Sequence, residues 1–290
     1  MKILNKILIG VLSLLALSAC DFLDETAYNK VTVGNFYTTK EGVTNGVNGL
    51  YSTLRNVYIN EYLIYLCEGP SDIWNAYNGG DQWRNWTIDA TNGNVRSLWY
   101  NGYKSINQCN SVLDALENNE IPGLDKSLRI RYQAEALFIR AHYYYHLVQQ
   151  FNDIPMPLKP TESVETAAHK TNADEVWKQI ISDLEFAIDN LPESYPVSEY
   201  GHITKYAAMH HLSRVLLTVK RSDDDLKKAL DYVEQVINSG KYALVKSHAE
   251  LWDINNKRNS EVIFPVLYTQ NAELNGDGNT AHMYFCSAYS

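Results

Sequence analysis

The sequence predicts a mainly α-helical protein of stacked, tetratricopeptide-like helical hairpins, with long loops and a little β structure near the C-terminus. Two observations favour this fold class. Apolar residues recur at alternating spacings of three and four over several long stretches, which is the period of an amphipathic helix. Helix starts predicted near residues 129, 173, 204 and 224 follow one another closely, as in helical hairpins without a strict repeat. An α-α superhelix without a ligand site is the alternative architecture.

Two predicted helices flank a long irregular stretch in the first part of the chain. The first covers residues 41–58, and its apolar stripe consists of Val43, Val47, Leu50, Leu54 and Val57. Residues 67–93 have no regular period and contain Gly-Pro, Gly-Gly and Asn-Gly pairs, so we predict a long loop there. The second helix covers about residues 95–118, and its inner face is predicted to hold Trp99, Tyr103, Ile106, Asn110 and Leu113.

The clearest helix is predicted over residues 126–151, and it is apolar on two sides. One stripe consists of Ile130, Ala134, Leu137, Ala141, Tyr144, Val148 and Phe151, and a flanking stripe consists of Ala136, Ile139, Tyr143 and Leu147. A helix with two apolar sides packs between neighbours, and its alanines permit close approach. Pro155 and Pro157 end the helical pattern.

Three more helices are predicted before the helical periodicity of the sequence ends. Asn172, with Glu175 three residues later, resembles a helix-start box and opens a helix that ends before Pro192. Thr204 is predicted to cap the next helix, which runs to about residue 220. The last helix covers about residues 224–238, and its predicted inner face consists of Leu226, Leu230, Val233 and Ile237. Residues 261–269 (EVIFPVLYT) form a strand-like run, which supplies the predicted β structure.

The N-terminus has the features of an export signal. Lys2 and Lys6 precede an apolar run over residues 7–17 that is too short to span a bilayer, and Cys20 follows two small residues. This arrangement resembles the bacterial lipoprotein box, which implies that Cys20 becomes the acylated N-terminus of the mature protein. We therefore predict a signal peptide over residues 1–19 and an acylated N-terminus with a tether over 20–40. An ordinary secretory signal with a chance cysteine is the alternative.

Composition and motifs disfavour several classes of function. The 290 residues include 25 Lys and Arg against 34 Asp and Glu, and this net charge of −9 disfavours a nucleic-acid partner, which needs a basic face. No GxSxG, P-loop, GxGxxG or HExxH motif is present, so neither an enzyme nor a cofactor is predicted. Cys67, Cys109 and Cys286 lack metal-ligand spacing. We expect at least one buried thiol among them, and one disulfide is the alternative.

Two weak patterns resemble parts of metal sites, but no metal site is predicted. His142 and His146 lie four residues apart on one helical face, but a zincin needs Glu immediately after the first histidine, and position 143 is Tyr. Core or helix-flank histidines are therefore favoured. Residues 275–279 alternate like the start of a calcium loop, yet the required glycine and bidentate acid are missing, which favours a turn. A calcium site of another geometry is the alternative.

The segment from 74 to 86, called the aromatic segment below, is the strongest candidate for a ligand site. Its rings and the polar residues between them are Trp74, Asn75, Tyr77, Asp81, Trp83, Arg84 and Trp86. An aperiodic segment cannot bury four rings on one face by itself. Two interpretations follow. Either the segment folds over the helical body and packs its rings there, or the rings stack on pyranose faces while polar side chains bond sugar hydroxyls.

Several sequence blocks, taken in order, resemble one known family. After the lipoprotein box come LWYNGYKSINQCNSVLDAL at 98–116, AEALFIRAHYYYHLVQQFNDIPM at 134–156, GHITKYAAMHHLSRVLL at 201–217, INSGKYAL at 237–244 and SEVIFPVLY at 260–268. These blocks resemble the SusD/RagB family of outer-membrane nutrient-binding lipoproteins. The resemblance implies a tetratricopeptide-like helical domain, here 41–240, and a loop-rich region that starts at 241–290. Because family members usually continue further, we expect either a chain truncated at Ser290 or a short variant.

The family resemblance also implies a function. It implies a lipid-anchored protein on the surface of the outer membrane, which binds oligo- or polysaccharides and delivers them to a SusC-like TonB-dependent barrel. The glycan, the barrel and the membrane are thus the expected partners, and the protein is expected not to be an enzyme. The alternative is a helical-repeat scaffold lipoprotein of the cell envelope that binds protein or peptide. A glycan-cleaving enzyme is a third, less favoured class.

Overall fold

The computed structural model describes residues 36–59, 81–161 and 168–268, together with positions 69, 71 and 163. The chain divides into two compact units, Met1–Phe36 and Tyr37–Ser290. Only Phe36 of the first unit lies within the described residues, so the fold given below is that of the second unit.

The described chain is mainly helical, which confirms the predicted fold class. Its α-helices are α1 (Lys40–Ile59), α2 (Asp81–Arg84), α3 (Gly93–Asn118), α4 (Lys126–Phe151), α5 (Ala173–Asn190), α6 (Lys205–Val219), α7 (Asp223–Asn238) and α8 (His248–Leu251). A short 3-10 turn, Val197–Glu199, precedes α6. The long helices begin and end within a few residues of the bounds that the apolar periodicity predicts.

Helices that are neighbours in sequence are neighbours in space. From α3 onward each long helix packs against the next, so that α4 lies against α3 and α5, and α6 lies against α5 and α7. Helix α1 packs against both α3 and α4. This order of contacts is typical of stacked helical hairpins.

Side-chain caps explain where the helices begin. Asn92, Asp125, Asn172 and Thr204 each accept a hydrogen bond from a backbone N–H of the first turn of the helix that follows. Such a cap satisfies one of the four N–H groups that the first turn leaves without a helical partner. The caps predicted at Asn172 and Thr204 are therefore confirmed. Ser222 and Asp225 form a reciprocal capping box at the start of α7.

Helix α4 forms the centre of the core. Tyr143, Tyr144 and Leu147 are fully buried, and buried side chains occur on both predicted stripes. Gly102 of α3 faces α4 closely, because a Cβ atom placed on it would lie 3.2 Å from the Cδ atoms of Leu147. The absence of a side chain at Gly102 therefore allows α3 and α4 to approach, as the small residues of α4 do from the other side.

A buried ion pair joins α4 to α5 inside this core. The Arg140 guanidinium donates through Nε and Nη2 to the two carboxylate oxygens of Asp183, at 2.8 Å each. Its Nη1 donates to Oδ1 of Asn110 in α3 at 3.0 Å. One side chain therefore fixes the positions of three helices relative to one another.

Three predictions about helix faces need correction. Leu137 is half-buried rather than part of a fully buried stripe, and Trp99 retains 36% exposure. On α7, Leu230 and Ile237 are exposed, at 58% and 66%, although both were predicted to point inward. Among the described helices α7 packs mainly against α6, so that only a narrow strip containing Ala229 and Val236 is covered.

The predicted strand over residues 261–269 is not confirmed. Residues 261–268 are irregular chain, and the β pairing among the described residues is a single antiparallel bridge between Ile154 and Thr171. The apolar side chains of this run pack against the helical body instead. The Phe264 ring lies 5.8 Å from that of Phe138 in α4, and Leu267 lies against Gly201. The apolar composition of this run thus reflects partial burial against the helical core, which does not require a ladder of hydrogen bonds.

We expect Leu147→Ala to lower the free energy of unfolding by about 2–5 kcal/mol, because the removed atoms leave a cavity between α3 and α4. The matched control is Leu230→Ala on the exposed side of α7, which we expect to change that free energy by no more than about 0.5 kcal/mol. Urea denaturation followed by circular dichroism measures both. Equal costs for the two variants would contradict the described packing.

Candidate functional site

The structure describes part of the aromatic segment. Trp74, Asn75 and Tyr77 lie outside the described residues, as does the predicted lipidation site, Cys20. Asp81 and Arg84 are the first and last residues of the short helix α2, but their side chains lie outside the description. The structure therefore describes the segment only at its C-terminal end, and all of its site residues stay predictions.

The two described tryptophans of the segment have opposite environments. Trp83 is buried at 3% exposure and belongs to the hydrophobic core. Trp86 is exposed at 71%. Leaving a ring of this size in water forgoes about 2–3 kcal/mol of burial. Of the two rings, Trp86 is thus the one that is available for contact.

The turn that follows α2 holds Trp86 in this position. Trp86 has φ of +56°, a left-handed conformation that residues other than glycine rarely adopt and that costs on the order of 1–3 kcal/mol. Hydrogen bonds on both sides maintain it. The N–H of Thr87 donates to the carbonyl of Gln82 at 2.9 Å, and Nδ2 of Asn92 donates to Oε1 of Gln82 at 3.0 Å. The backbone that carries the exposed ring is therefore tied to the start of α3.

Two more hydrogen bonds stabilise the chain just after this turn. The Asp89 carboxylate accepts from both the N–H and the hydroxyl of Thr91, at 2.8 and 2.6 Å. These bonds lower the pKa of Asp89 below its ordinary value, because they favour the charged form. The turn between α2 and α3 thus uses local side-chain bonds instead of a packed core.

A small cavity of about 180 Å³ lies elsewhere, between α1, residues 200–202 and residues 264–267. Its polar lining includes Asn48, Tyr51, Arg55 and His202. An engineered cavity of about 150 Å³ holds one benzene ring, whereas ligand sites usually occupy about 300–1,000 Å³. The cavity is therefore large enough for one ring but too small for a chain of sugars.

The polar wall of this cavity is fixed by a fully buried carboxylate, Glu135 of α4. It accepts from the Tyr51 hydroxyl at 2.6 Å and from Nε of Arg131 at 3.0 Å, and it pairs with Nδ1 of His202 at 2.9 Å. Burial and this carboxylate raise the pKa of Tyr51 well above its usual value. The network was not predicted. The signal available in the sequence was a charged residue, Glu135, between two alanines of α4, Ala134 and Ala136, both of which are buried.

Three histidines cluster inside the helical body. The ring centroids of His142 and His146 are 4.6 Å apart, and His211 of α6 lies 5.2 Å from His142. The Nε2 atoms of His146 and His211 are buried and have no hydrogen-bond partner among the described residues, whereas Nε2 of His142 bonds the Tyr58 hydroxyl at 3.0 Å. The interpretation of His142 and His146 as core histidines agrees with this placement.

Burial makes these imidazoles poor bases. It lowers the pKa of His142 well below the usual value, that of His146 to about 4 and that of His211 to about 3, and the nearby Arg214 charge acts in the same direction. Neutral, closely packed rings are therefore expected near pH 7. Within the described ranges, no group of three or more His, Cys, Asp or Glu side chains is arranged to hold a metal ion. The Cys109 thiol is also buried, which raises its pKa to about 12.

Comparison with known proteins identifies the family. A family model described as SusD-like, starch-binding and associating with the outer membrane, matches residues 21–217, which is more than half of the chain. The chain belongs to the SusD-like family. This family consists of carbohydrate-binding proteins rather than enzymes, and its description associates it with the outer membrane. Among the described helices, none is both long and apolar enough to cross a membrane.

Individual SusD-like relatives support the same assignment. SusD-like protein P25 of Formosa agariphila is 26% identical over 279 residues, which cover 92% of this chain and 52% of that protein. A SusD-like protein of Bacteroides ovatus is 24% identical over 273 residues, which cover 90% and 49%. The chain thus spans about half the length of the curated relatives it matches.

Solved SusD-like structures share the helical fold. A laminarin-binding SusD-like protein is 27% identical and superposes with a TM-score of 0.67 over 79% of this chain and 51% of its own. A SusD superfamily protein of Parabacteroides distasonis, at 24% identity, has a TM-score of 0.70 over 83% and 52%. The stacked hairpins described above are therefore the fold of this family.

We expect the free energy of unfolding to decrease as the pH falls from about 6.5 towards 5. The reason is that histidines in the unfolded chain bind protons in this range, whereas the buried histidines of the folded protein stay neutral. Well above pH 6.5 the histidines are neutral in both states, so the effect disappears there. Each buried histidine contributes a slope of up to about 1.4 kcal/mol per pH unit. His146→Gln should remove one such contribution from the slope, measured by urea denaturation at each pH. The control Leu230→Ala, at an exposed position that carries no titrating group, should leave the slope unchanged, and equal slopes for all three proteins would contradict the prediction.

Proposed function

We propose that this SusD-like protein binds glycans at the cell surface through aromatic rings presented by its aromatic segment. One observation carries the proposal: Trp86 is held in water, in a left-handed turn braced by hydrogen bonds, within a member of a starch-binding family. An exposed ring on a backbone turn that is already ordered is suited to stacking on the C–H face of a pyranose, since the turn loses little conformational entropy on binding. The 27%-identical structure is named as laminarin-binding, which supports a glucan as ligand.

The remaining residues of the segment take part in this proposal as ligand contacts. Trp74 and Tyr77 are proposed as further stacking rings. Asn75, Asp81 and Arg84 are proposed as partners of sugar hydroxyls, since amides, carboxylates and guanidinium groups bond them directly. Trp83, which packs in the core, is proposed to position the turn instead of contacting the glycan.

The proposal includes an anchor and a partner. We propose that Cys20 is the lipidated N-terminus after removal of residues 1–19, and that residues 20–40 tether the helical domain, 41–240, to the outer membrane. We also propose that the bound glycan passes to a SusC-like TonB-dependent barrel. The family description, which associates members with the outer membrane, supports the location.

The first experiment tests the ring. We expect Trp86→Ala to weaken binding of a recognised glycan by about 2 kcal/mol or more, roughly thirtyfold in affinity, and to leave the melting temperature nearly unchanged. The glycans are laminarin, maltoheptaose and a xyloglucan oligosaccharide, measured by isothermal titration calorimetry. The matched control is Trp252→Ala, whose ring is 73% exposed but lies outside the aromatic segment. Trp83→Ala should instead lower stability by about 3–5 kcal/mol, because its ring is buried.

The outcomes separate the possible explanations. If the wild-type protein binds a glycan and Trp86→Ala binds it with unchanged affinity, the Trp86 ring is not part of the glycan site. Failure of the wild-type chain to bind any of the glycans would contradict glycan binding itself and would favour the scaffold alternative.

The second experiment tests the anchor. We expect Cys20→Ala to abolish palmitate labelling and membrane sedimentation while circular dichroism stays helical, because only the thiol that accepts the lipid is removed. The matched control is Cys109→Ala, since the Cys109 thiol is buried in α3 and cannot accept a lipid in the folded protein. Labelling that persists in Cys20→Ala would show that the lipoprotein interpretation is wrong.

A further inference from the structure

A second concave surface is lined by described residues that are all different from the ligand contacts assigned above. This surface, called the α3 cleft, has a volume of about 710 Å³ and lies between α3 and the segment that joins α4 to α5. Trp99 and Tyr103 of α3 form its aromatic floor, while Thr161, Ser163, His169 and Thr171 contribute polar side chains to its wall. Its size falls within the range of ligand sites in proteins, about 300–1,000 Å³.

The aromatic floor is fixed by its contacts. The Trp99 ring packs 4.8 Å from the Tyr103 ring and meets the Phe151 ring edge-on at 5.0 Å, measured between centroids. The Tyr103 hydroxyl donates to the carbonyl of Pro155 at 2.7 Å. The 36% of Trp99 that stays exposed therefore belongs to a ring whose orientation is already set. A helical stripe predicts this residue to be covered, and the structure leaves it open to the cleft.

The wall of the cleft is held by side chains of the helices behind it. Nδ2 of Asn110 donates to the carbonyl of Pro157 at 2.8 Å, and the Tyr144 hydroxyl donates to the same oxygen at 2.7 Å. The N–H of Thr161 donates to Oδ1 of Asn107 at 2.8 Å. Reciprocal backbone bonds join Ile154 to Thr171. The described part of the loop that is fixed in this way, residues 154–161 and 171, presents a surface that a ligand does not have to order.

The chemistry of the lining indicates the class of ligand. None of the described residues that line the α3 cleft carries a formal charge when histidine is neutral. An anion such as a phosphate would find no cation there to neutralise it. A neutral ring with one apolar face and many hydroxyls is complementary instead, since its C–H face fits an aromatic floor and its hydroxyls can bond Thr161, Ser163 and His169.

We propose that the α3 cleft is a second saccharide subsite, which stacks a neutral hexopyranose on Trp99. The inference rests on the proposed function, because it assumes that the protein binds glycans. It adds that a glycan contacts the helical body as well as the aromatic segment. Two subsites on one chain favour long glycans over short ones, because the second contact is made at a raised effective concentration.

The experiment truncates the aromatic floor and the polar wall of the α3 cleft in separate variants. Trp99→Ala is expected to lower the affinity for whichever of the three glycans the wild-type chain binds by about tenfold, as expected for the loss of one stacking ring. Trp99→Phe should keep most of that affinity, because it retains a flat ring. Since Trp99 is partly buried, the double variant Thr161→Ala, His169→Ala serves as an independent test at two exposed positions, with an expected loss of about threefold or more.

Controls distinguish this inference from the proposed function. Trp252→Ala should bind as the wild type does. If the wild-type chain binds none of laminarin, maltoheptaose and the xyloglucan oligosaccharide, both proposals fail. If it binds, and both Trp99→Ala and the double variant keep wild-type affinity, the α3 cleft is not a subsite, whatever the effect of Trp86→Ala. Loss of binding in the double variant with an unchanged melting temperature supports the cleft even where Trp99→Ala fails to fold.

Discussion

A charged pair buried between helices sets how the described helical body is assembled. Arg140 and Asp183 are exposed at only 6% and 3%, and moving two such charges out of water costs several kcal/mol per ion. Burial raises the pKa of the Asp183 carboxyl, and the two bonds from Arg140 and one from Gln179 oppose that rise. The pair is thus tolerable only in the one arrangement where both oxygens and the guanidinium fork are bonded. That requirement fixes the register of α4 against α5.

The same guanidinium also influences the loop that follows α4. Its third bond, to Oδ1 of Asn110, orients the amide so that Nδ2 points at the carbonyls of Pro157 and Lys159, at 2.8 and 3.2 Å. The connection from α4 to α5 is therefore held by α3 through a residue that the core itself orients. A surface loop usually depends on its own turns for shape. Here the shape of the α3 cleft depends on a polar network that begins at Asp183.

The sequence predicts those features that depend on local periodicity. All five residues of the α1 stripe are buried, from Val43 to Val57, and the caps at Asn172 and Thr204 lie where predicted. Features that depend on distant partners are not predicted. Leu230 and Ile237 belong to an apolar stripe, but how much of it is covered depends on the number of helices packed against α7. The strand-like run at 261–268 likewise lacks a described partner strand, which no local pattern reveals.

The tryptophans show why the candidate site could be predicted only as a segment and not residue by residue. Trp83 and Trp86 lie three positions apart in the same aperiodic stretch, yet one is in the core and the other is in water. What separates them is the left-handed turn after α2, where the backbone reverses and Trp86 can no longer follow Trp83 inward. Trp99 shows the converse, because its helical spacing indicates the core while the loop opposite leaves part of the ring uncovered. Ring type and spacing therefore place aromatic residues near a surface, and only the path of the neighbouring backbone decides which of them a glycan could reach.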